Sequence, residues 1–154
     1  MSRRRDPYTK DLYAWEAEPV AIGYGDDVAG RGPLANRIAR LVGRALRDAK
    51  DAGQCRNDVA RAMAEHLGRP IPAGSLDKWA SEASEEHRIP LDAFIALIHA
   101  TGQHDLLAFI PSLFGFAVVP NRFVDLIELH QIEEHEREVQ ARKAALQAKV
   151  RGRR

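Results

Sequence analysis

The spacing of apolar residues constrains this chain most, because such residues recur every three to four positions along much of it. Between residues 34 and 50 one apolar stripe follows this period: Leu34, Ile38, Leu41, Val42, Ala45 and Ala49. A period of 3.6 residues places these side chains on one face of a helix. Gly53 follows shortly after, where a glycine commonly ends a helix. The pattern therefore predicts a helix over 34–50 with one buried face.

Shorter stripes of the same period predict further helices between residues 57 and 114. Asn57 or Asp58 is suited to cap the first of them, and Gly68 marks its end. Two prolines and a glycine within 69–74 predict a turn. The next helix is expected from about Ser75, with its apolar face formed by Leu76, Trp79, Ala80 and Ala83. Two more are expected, one between Pro90 and Gly102 and one over 106–114.

The last part of the chain has no glycine or proline from Asn121 until Gly152, which predicts one long helix. Its later apolar residues are spaced by about seven, a weak heptad pattern. This spacing favours self-association through a seam, and an exposed tail helix is an equal alternative. The residues predicted to form the seam are Leu129, Ile132, Val139, Leu146 and Val150.

The first 33 residues contain many prolines and glycines and predict an extended or loop-rich arm. Residues 20–22 can form a short strand, with 116–119 as its candidate partner. We therefore predict an all-α fold with at most one minor two-stranded element. Its expected parts are the arm (1–33), a helical domain (34–119) and a C-terminal oligomerisation helix (120–154).

The charge balance is nearly neutral, with 23 Lys+Arg against 22 Asp+Glu and a formal net charge of +1. Both ends are basic and the middle is acidic: residues 71–119 hold two basic residues against six acidic ones. No apolar run reaches the roughly 18 residues of a membrane span, and no secretory signal is visible. Cys55 is the only cysteine, which fits a reducing compartment, so a cytoplasmic protein is expected.

An arginine stripe lies on the predicted 34–50 helix, clear of its apolar face. No acidic residue interrupts this stripe, which consists of Arg37, Arg40, Arg44 and Arg47. A solvated helix face explains it, and contact with nucleic-acid phosphates explains it nearly as well. The basic N-terminus, with Arg3, Arg4 and Arg5, offers further phosphate contacts.

The helices predicted around residues 57–67 and 75–83 resemble a helix-turn-helix. In that interpretation the second helix enters the major groove and presents Gly74, Ser75, Lys78 and Ser81. The turn is longer than usual and acidic residues crowd the second helix, so a plain helical hairpin with Trp79 in the core remains an alternative.

Three stretches of the chain carry a family resemblance: 59–70, the segment from Ser75 to Ala83, and 86–107 with its Ile-Pro-Leu-Asp and Ala-Thr-Gly motifs. Together they resemble early-region proteins of Mu-like transposable phages and prophages, and the last stretch is similar to phage CII-type regulators. The resemblance is clearest over residues 34–119. It implies a DNA-binding regulator that acts near transposition genes.

Signals for other chemistry are weak. The six histidines lack metal-site spacing, and no glycine-rich loop precedes the Lys-Ser or Lys-Thr of a phosphate-binding motif. We therefore expect no catalytic residues, no metal and no cofactor. The predicted function is sequence-selective binding of double-stranded DNA by a homo-oligomer, in transcription or transposition control. The alternative is a protein-interaction module that uses the acidic middle and the C-terminal helix.

Overall fold

A computed structural model describes residues 20–152 of the chain. Its helices are α1 (Asp26–Ala29), α2 (Leu34–Asp51), α3 (Arg56–Leu67), α4 (Ala73–Trp79), α5 (Leu91–Thr101), α6 (Phe109–Ser112) and α7 (Val124–Arg151), with short 3₁₀ helices at His104–Ala108 and Asn121–Phe123. The predicted all-α class is confirmed. The chain divides into two compact units, and residues 21–120 form the larger one, called the body below.

The body is built around the apolar face of α2. Leu41, Val42 and Ala45 are buried there, as the helical period predicts. Leu46 is buried as well, although the predicted stripe did not include it, whereas Leu34 of that stripe is exposed because it lies in the first turn of the helix. The most extensive packing between helices is that of α3 on α5, with Met63 and Leu97 fully buried. Burial of such side chains stabilises each by about 1.5–3 kcal/mol relative to leaving it in water. Aliphatic packing therefore holds the helices that position the candidate site.

Cys55 caps the N-terminus of α3, together with Asp58 in the first turn. The backbone N–H of Cys55 donates to Oδ2 of Asp58 at 3.1 Å, which completes a capping box. Hydrogen bonds from the side chain and backbone of Cys55 lower the pKa of Asp58. The sequence pattern predicted Asn57 or Asp58 at the cap itself. The helix begins earlier, at Arg56, because Asp58 satisfies the cap from within the first turn.

Residues 21–33 belong to the body, whereas the prolines and glycines had predicted an arm that includes them. The backbone N–H of Gly23 donates to Asp105 at 2.9 Å, and the hydroxyl of Tyr24 donates to Asp48 at 2.9 Å. Burial, and then the hydrogen bond to Asp48, raise the pKa of Tyr24 above its ordinary value. Prolines and glycines correctly indicate that a long helix is absent from 21–33. They do not predict whether this segment packs against the rest of the body.

A single antiparallel bridge joins the beginning and the end of the body. The backbone N–H of Ile22 donates to the carbonyl oxygen of Val118 at 3.0 Å. The two segments match the pairing that the sequence suggested for 20–22 and 116–119. Over residues 20–152 the pairing does not extend beyond this bridge into a sheet.

The α4 helix is shifted from its predicted range. It begins at Ala73 and ends at Trp79, whereas the apolar period predicted Ser75 to Ala83. Ala83 lies in the turn that follows and is exposed, so it does not form part of the predicted apolar face. The chain instead leaves the helix at Ala80, and the Glu82 carboxylate contacts Arg40 of α2.

The α7 helix spans 28 residues. None of these 28 residues, all within the described range, is buried. The five predicted seam residues lie on it, and their side chains are about half exposed or more. Most helical stability in proteins comes from packing of an apolar face. The seam of α7 thus remains available for a partner.

Candidate nucleic-acid interface

The α3 and α4 helices are joined by the five-residue turn from Gly68 to Pro72. Gly68 ends α3 in the left-handed conformation with φ 64°, a conformation that favours glycine. Ile71 in the turn and Leu76 in α4 are both buried, so the inner face of α4 is anchored in the core. The structure thus contains two consecutive helices joined by a long turn, an arrangement common to a helix-turn-helix and to a plain helical hairpin.

The outer face of α4 is open to solvent. Gly74, Asp77 and Lys78 are exposed, and a Cβ atom added to Gly74 would meet no atom within 4 Å. Ser75 is half-buried on the same helix. This face does not lie beneath another helix of the body, so a ligand can approach it.

Of the four residues predicted to face the groove, Ser81 lies outside the helix. Its backbone N–H donates to the carbonyl oxygen of Lys78 at 3.2 Å in the turn after α4. Gly74, Ser75 and Lys78 remain on α4, within about one turn of each other. Trp79 is half-buried and packs against the core, so it helps Leu76 to anchor this helix.

Arg56 at the start of α3 fixes the position of α4. Its Nη1 donates to the carbonyl oxygen of Leu46 at 2.9 Å, and its Nε donates to Oδ1 of Asp77 at 3.2 Å. Asp77 is the acidic residue on the outer face of α4. Because it is paired with an arginine, it repels phosphates less than an isolated carboxylate would.

Arg40 of the predicted stripe is engaged inside the body. Its Nη1 donates to the carbonyl oxygens of Ala29 at 2.7 Å and Arg31 at 2.9 Å. Its Nε lies 2.9 Å from Oε1 of Glu82, which raises the pKa of Arg40 and lowers the pKa of Glu82. Arg40 therefore connects three segments of the chain, and contact with a phosphate would compete with those bonds.

Two other stripe arginines also have partners within the body. The guanidinium of Arg37 is half-buried, 5.2 Å from the centre of the Phe109 ring, and its buried Nε has no hydrogen-bond partner among the described residues. The Nε of Arg44 donates to Oδ1 of Asp48 at 2.9 Å. These contacts reduce the charge that Arg44 presents to a ligand and orient Arg37 toward an aromatic ring.

Arg47 differs from the rest of the stripe. It is exposed, and within residues 20–152 it has no ion-pair partner. A Cβ atom on Gly43 would lie 3.6 Å from Nη1 of Arg47 and 3.7 Å from Cβ of Ala80. Arg47 of α2 and Ala80, the residue that follows α4, thus both lie close to Gly43. Lys78 is likewise exposed and, in the described part of the chain, without an acidic partner. We call Arg47 and Lys78 the cation pair.

Arg3, Arg4 and Arg5 lie outside the described residues, as does most of the predicted arm. Their assignment to phosphate contacts stays a prediction. Among the residues that the structure describes, no group of three or more side chains is placed to hold a metal ion. None of the described helices is both long and apolar enough to cross a membrane.

One contact had no signal in the sequence. The rings of His66 in α3 and His99 in α5 stack with their centres 4.3 Å apart. The two residues are 33 positions apart, and only the packing of α3 on α5 brings them together. Stacking places the ring faces, rather than the nitrogen lone pairs, toward each other, so this pair is not arranged as a metal site.

Comparisons with protein families, curated proteins and solved structures found no match for this chain. The resemblance to phage regulators therefore rests on the sequence motifs alone.

Proposed function

We propose that this protein binds double-stranded DNA through the outer face of α4, as a phage-type regulator of transcription or transposition. The observation that carries the proposal is the geometry of α4. Its inner face is anchored by Leu76, and its outer face is open, with the cation pair at its C-terminal end. An exposed helix in this position suits the major groove.

In this mechanism the cation pair contacts phosphates and fixes the register of the protein on the duplex. Gly74 lets the backbone approach the base edges closely, and the Ser75 hydroxyl can donate to them or accept from them. An α4 of seven residues is about 10 Å long, so it reads few base pairs. Sequence selectivity is accordingly expected to be modest for a single body.

The charge of the body limits its affinity for DNA. Residues 21–120 contain 11 Lys+Arg and 12 Asp+Glu, so no general positive field attracts the duplex. Three stripe arginines are also engaged within the body. The proposal consequently needs local contacts at the cation pair, with support from the basic ends of the chain.

Titration of the full chain into labelled duplex at several salt concentrations tests the proposal. The cation pair contributes about −2 to the log–log slope, whereas four free stripe arginines would contribute about −4, and phosphate contacts made by the basic ends of the chain add to either value. The double variant Arg47→Ala, Lys78→Ala is expected to reduce the magnitude of the slope by about 2.

The matched control is Arg61→Ala, which removes the same charge from an arginine already paired with Asp58 at 3.1 Å. This variant should keep the wild-type slope. Absence of duplex binding at low salt would overturn the proposal. A salt slope that does not change when the cation pair is removed would overturn the assignment of phosphate contacts to Arg47 and Lys78.

A second candidate is a protein-interaction module, favoured by exposed apolar side chains near the end of the body. Phe114 and Phe116 are more than 70% exposed, and Leu107, Ile110 and Leu113 are exposed in the same segment. Where exposed apolar side chains of this size cluster on a surface, they mark interaction sites. Replacing both phenylalanines by serine would weaken partner binding and leave the DNA salt slope unchanged.

A further inference from the structure

The charges along α7 are divided between its two halves. Residues 124–138 contain six acidic residues and a single basic one, Arg137. Residues 139–151 contain four basic residues and no acidic one. The division falls at Val139, in the middle of the seam.

The helix dipole does not account for this division. The dipole favours acidic residues in the first turn of a helix and basic residues in the last turn. In α7 the acidic residues extend through four turns, as far as Glu138, and the basic residues begin at Arg142. The separation therefore continues well past the reach of the dipole.

The seam carries exposed apolar side chains that an apolar partner surface would bury. Ile132, Val139 and Leu146 recur every seven residues on one side of the exposed helix. The alternate seam positions hold Leu129, Glu136, Lys143 and Val150, so two charges interrupt the apolar contacts. In a coiled coil, charged residues at these positions specify orientation at some expense of stability.

We propose that α7 pairs with α7 of a second copy of this chain in an antiparallel coiled coil. A parallel pair places Glu136 against Glu136 and Lys143 against Lys143, and acidic half against acidic half. An antiparallel pair places each acidic half along a basic half. Like charges in direct contact are repulsive, whereas acidic residues that lie beside basic residues attract them.

The register follows from the seam. Pairing centred between Glu136 and Val139 sets Leu129 opposite the partner's Leu146. It also brings Glu136 within about one helical turn of the partner's Lys143. Both interrupting charges thereby gain an opposite charge across the interface. This inference rests on α7 alone and does not depend on DNA binding by the body.

Cysteine cross-linking of the full chain distinguishes the orientations. In a Cys55→Ser background we compare Leu129→Cys, Leu146→Cys and the double variant under oxidising conditions. The antiparallel register predicts covalent dimers from the double variant only, because each single cysteine lies about 25 Å along the axis from its copy. Covalent dimers from either single variant would overturn the proposal.

Sedimentation of the Cys55→Ser protein provides an independent readout that needs no engineered cysteine. Attraction between the acidic half of one α7 and the basic half of its partner predicts a dimer whose dissociation constant rises with salt concentration. Lys143→Glu should weaken dimerisation by about fivefold or more, since symmetry removes two attractive pairs. The control Arg151→Glu makes the same charge change away from the seam and should have little effect. A monomer at all concentrations, or a dimer that tightens with salt, would overturn the proposal.

Discussion

Arg40 and Glu82 are joined by two hydrogen bonds, 2.9 Å from Nε to Oε1 and 3.0 Å from Nη2 to Oε2. The remaining guanidinium nitrogen of Arg40 donates to the carbonyl oxygens of Ala29 and Arg31. One side chain on α2 thereby connects the end of α1 to the turn after α4. This role differs from the phosphate contact that the stripe suggests.

Arg40→Ala is expected to lower the melting temperature of the protein. The variant removes the link between α1 and the turn after α4, and it leaves the part-buried carbonyl oxygen of Ala29 without its donor, which is costly. Arg44→Ala is the matched control, since its ion pair with Asp48 lies within one helix and such exposed pairs contribute little. Equal melting temperatures for the two variants, measured by circular dichroism, would contradict the connecting role.

Gly43→Ala is expected to stabilise the protein. Gly43 is buried in the middle of α2, and an added Cβ would lie 3.6–3.7 Å from its neighbours, an ordinary van der Waals distance. Replacing a helix-interior glycine by alanine then contributes about 0.5–1 kcal/mol. Urea denaturation measures the change.

Gly68→Ala is expected to destabilise the protein, the opposite of the effect expected for Gly43→Ala. Gly68 has φ 64°, where an alanine side chain is strained by about 1–2 kcal/mol, although an added Cβ meets no atom within 4 Å. We therefore expect the urea midpoint to decrease. If both exchanges changed stability in the same direction, the assigned backbone conformation or the packing at Gly43 would be incorrect.

Leu76→Ala should destabilise the body by about 2–5 kcal/mol, because Leu76 is fully buried and its truncation leaves a cavity. It helps to anchor α4, so under the proposed function a loss of DNA binding should accompany the loss of stability. Leu91→Ala, at a 65% exposed position, should change stability by no more than about 0.5 kcal/mol. A small effect at Leu76 would show that α4 is not anchored in the core.

Acid is expected to weaken the fold through three carboxylates. Hydrogen bonds from Cys55, Arg40 and Arg69 lower the pKa of Asp58, Glu82 and Asp92, respectively. Because the folded state favours their ionised forms, this stabilisation is present above their ordinary pKa values of 3.8–4.5. It is lost as the pH falls through the lowered values.

Glu82→Gln tests the acid dependence directly. The variant should melt below the wild type at pH 7, and the difference should narrow as the pH falls below about 4.5 and Glu82 of the wild type becomes protonated. Glu65→Gln, at an exposed position without an ion pair among the described residues, should follow the wild type at every pH. A constant difference for Glu82→Gln would contradict the ion-pair origin.

Local signals predicted the helices well where glycine or proline marked their ends. Gly102 ends α5 in the left-handed conformation, and Leu34 begins α2 directly after Pro33. The end of α4 was predicted too late. It depends on contacts such as that between Arg40 and Glu82, which are 42 residues apart and follow no local period.

At the candidate site, too, local sequence patterns predicted some features, and contacts between distant residues decided the others. Periodicity placed the arginine stripe on one helix correctly, since all four residues lie on α2. Which of them stays free depends on neighbours contributed by other segments, such as Ala29, Glu82 and Phe109. A single sequence does not reveal those neighbours, and so the cation pair emerges only from the fold.

The bridge between Ile22 and Val118 places the two ends of the body side by side. When the two ends of a domain lie close together, a linker can join them, and new termini can be made in a surface loop without loss of core contacts. Gly53, in the turn between α2 and α3, has φ 91° and open space around it, which makes it a suitable new opening. The helical body is therefore suited to circular permutation, with residue 120 linked to residue 21.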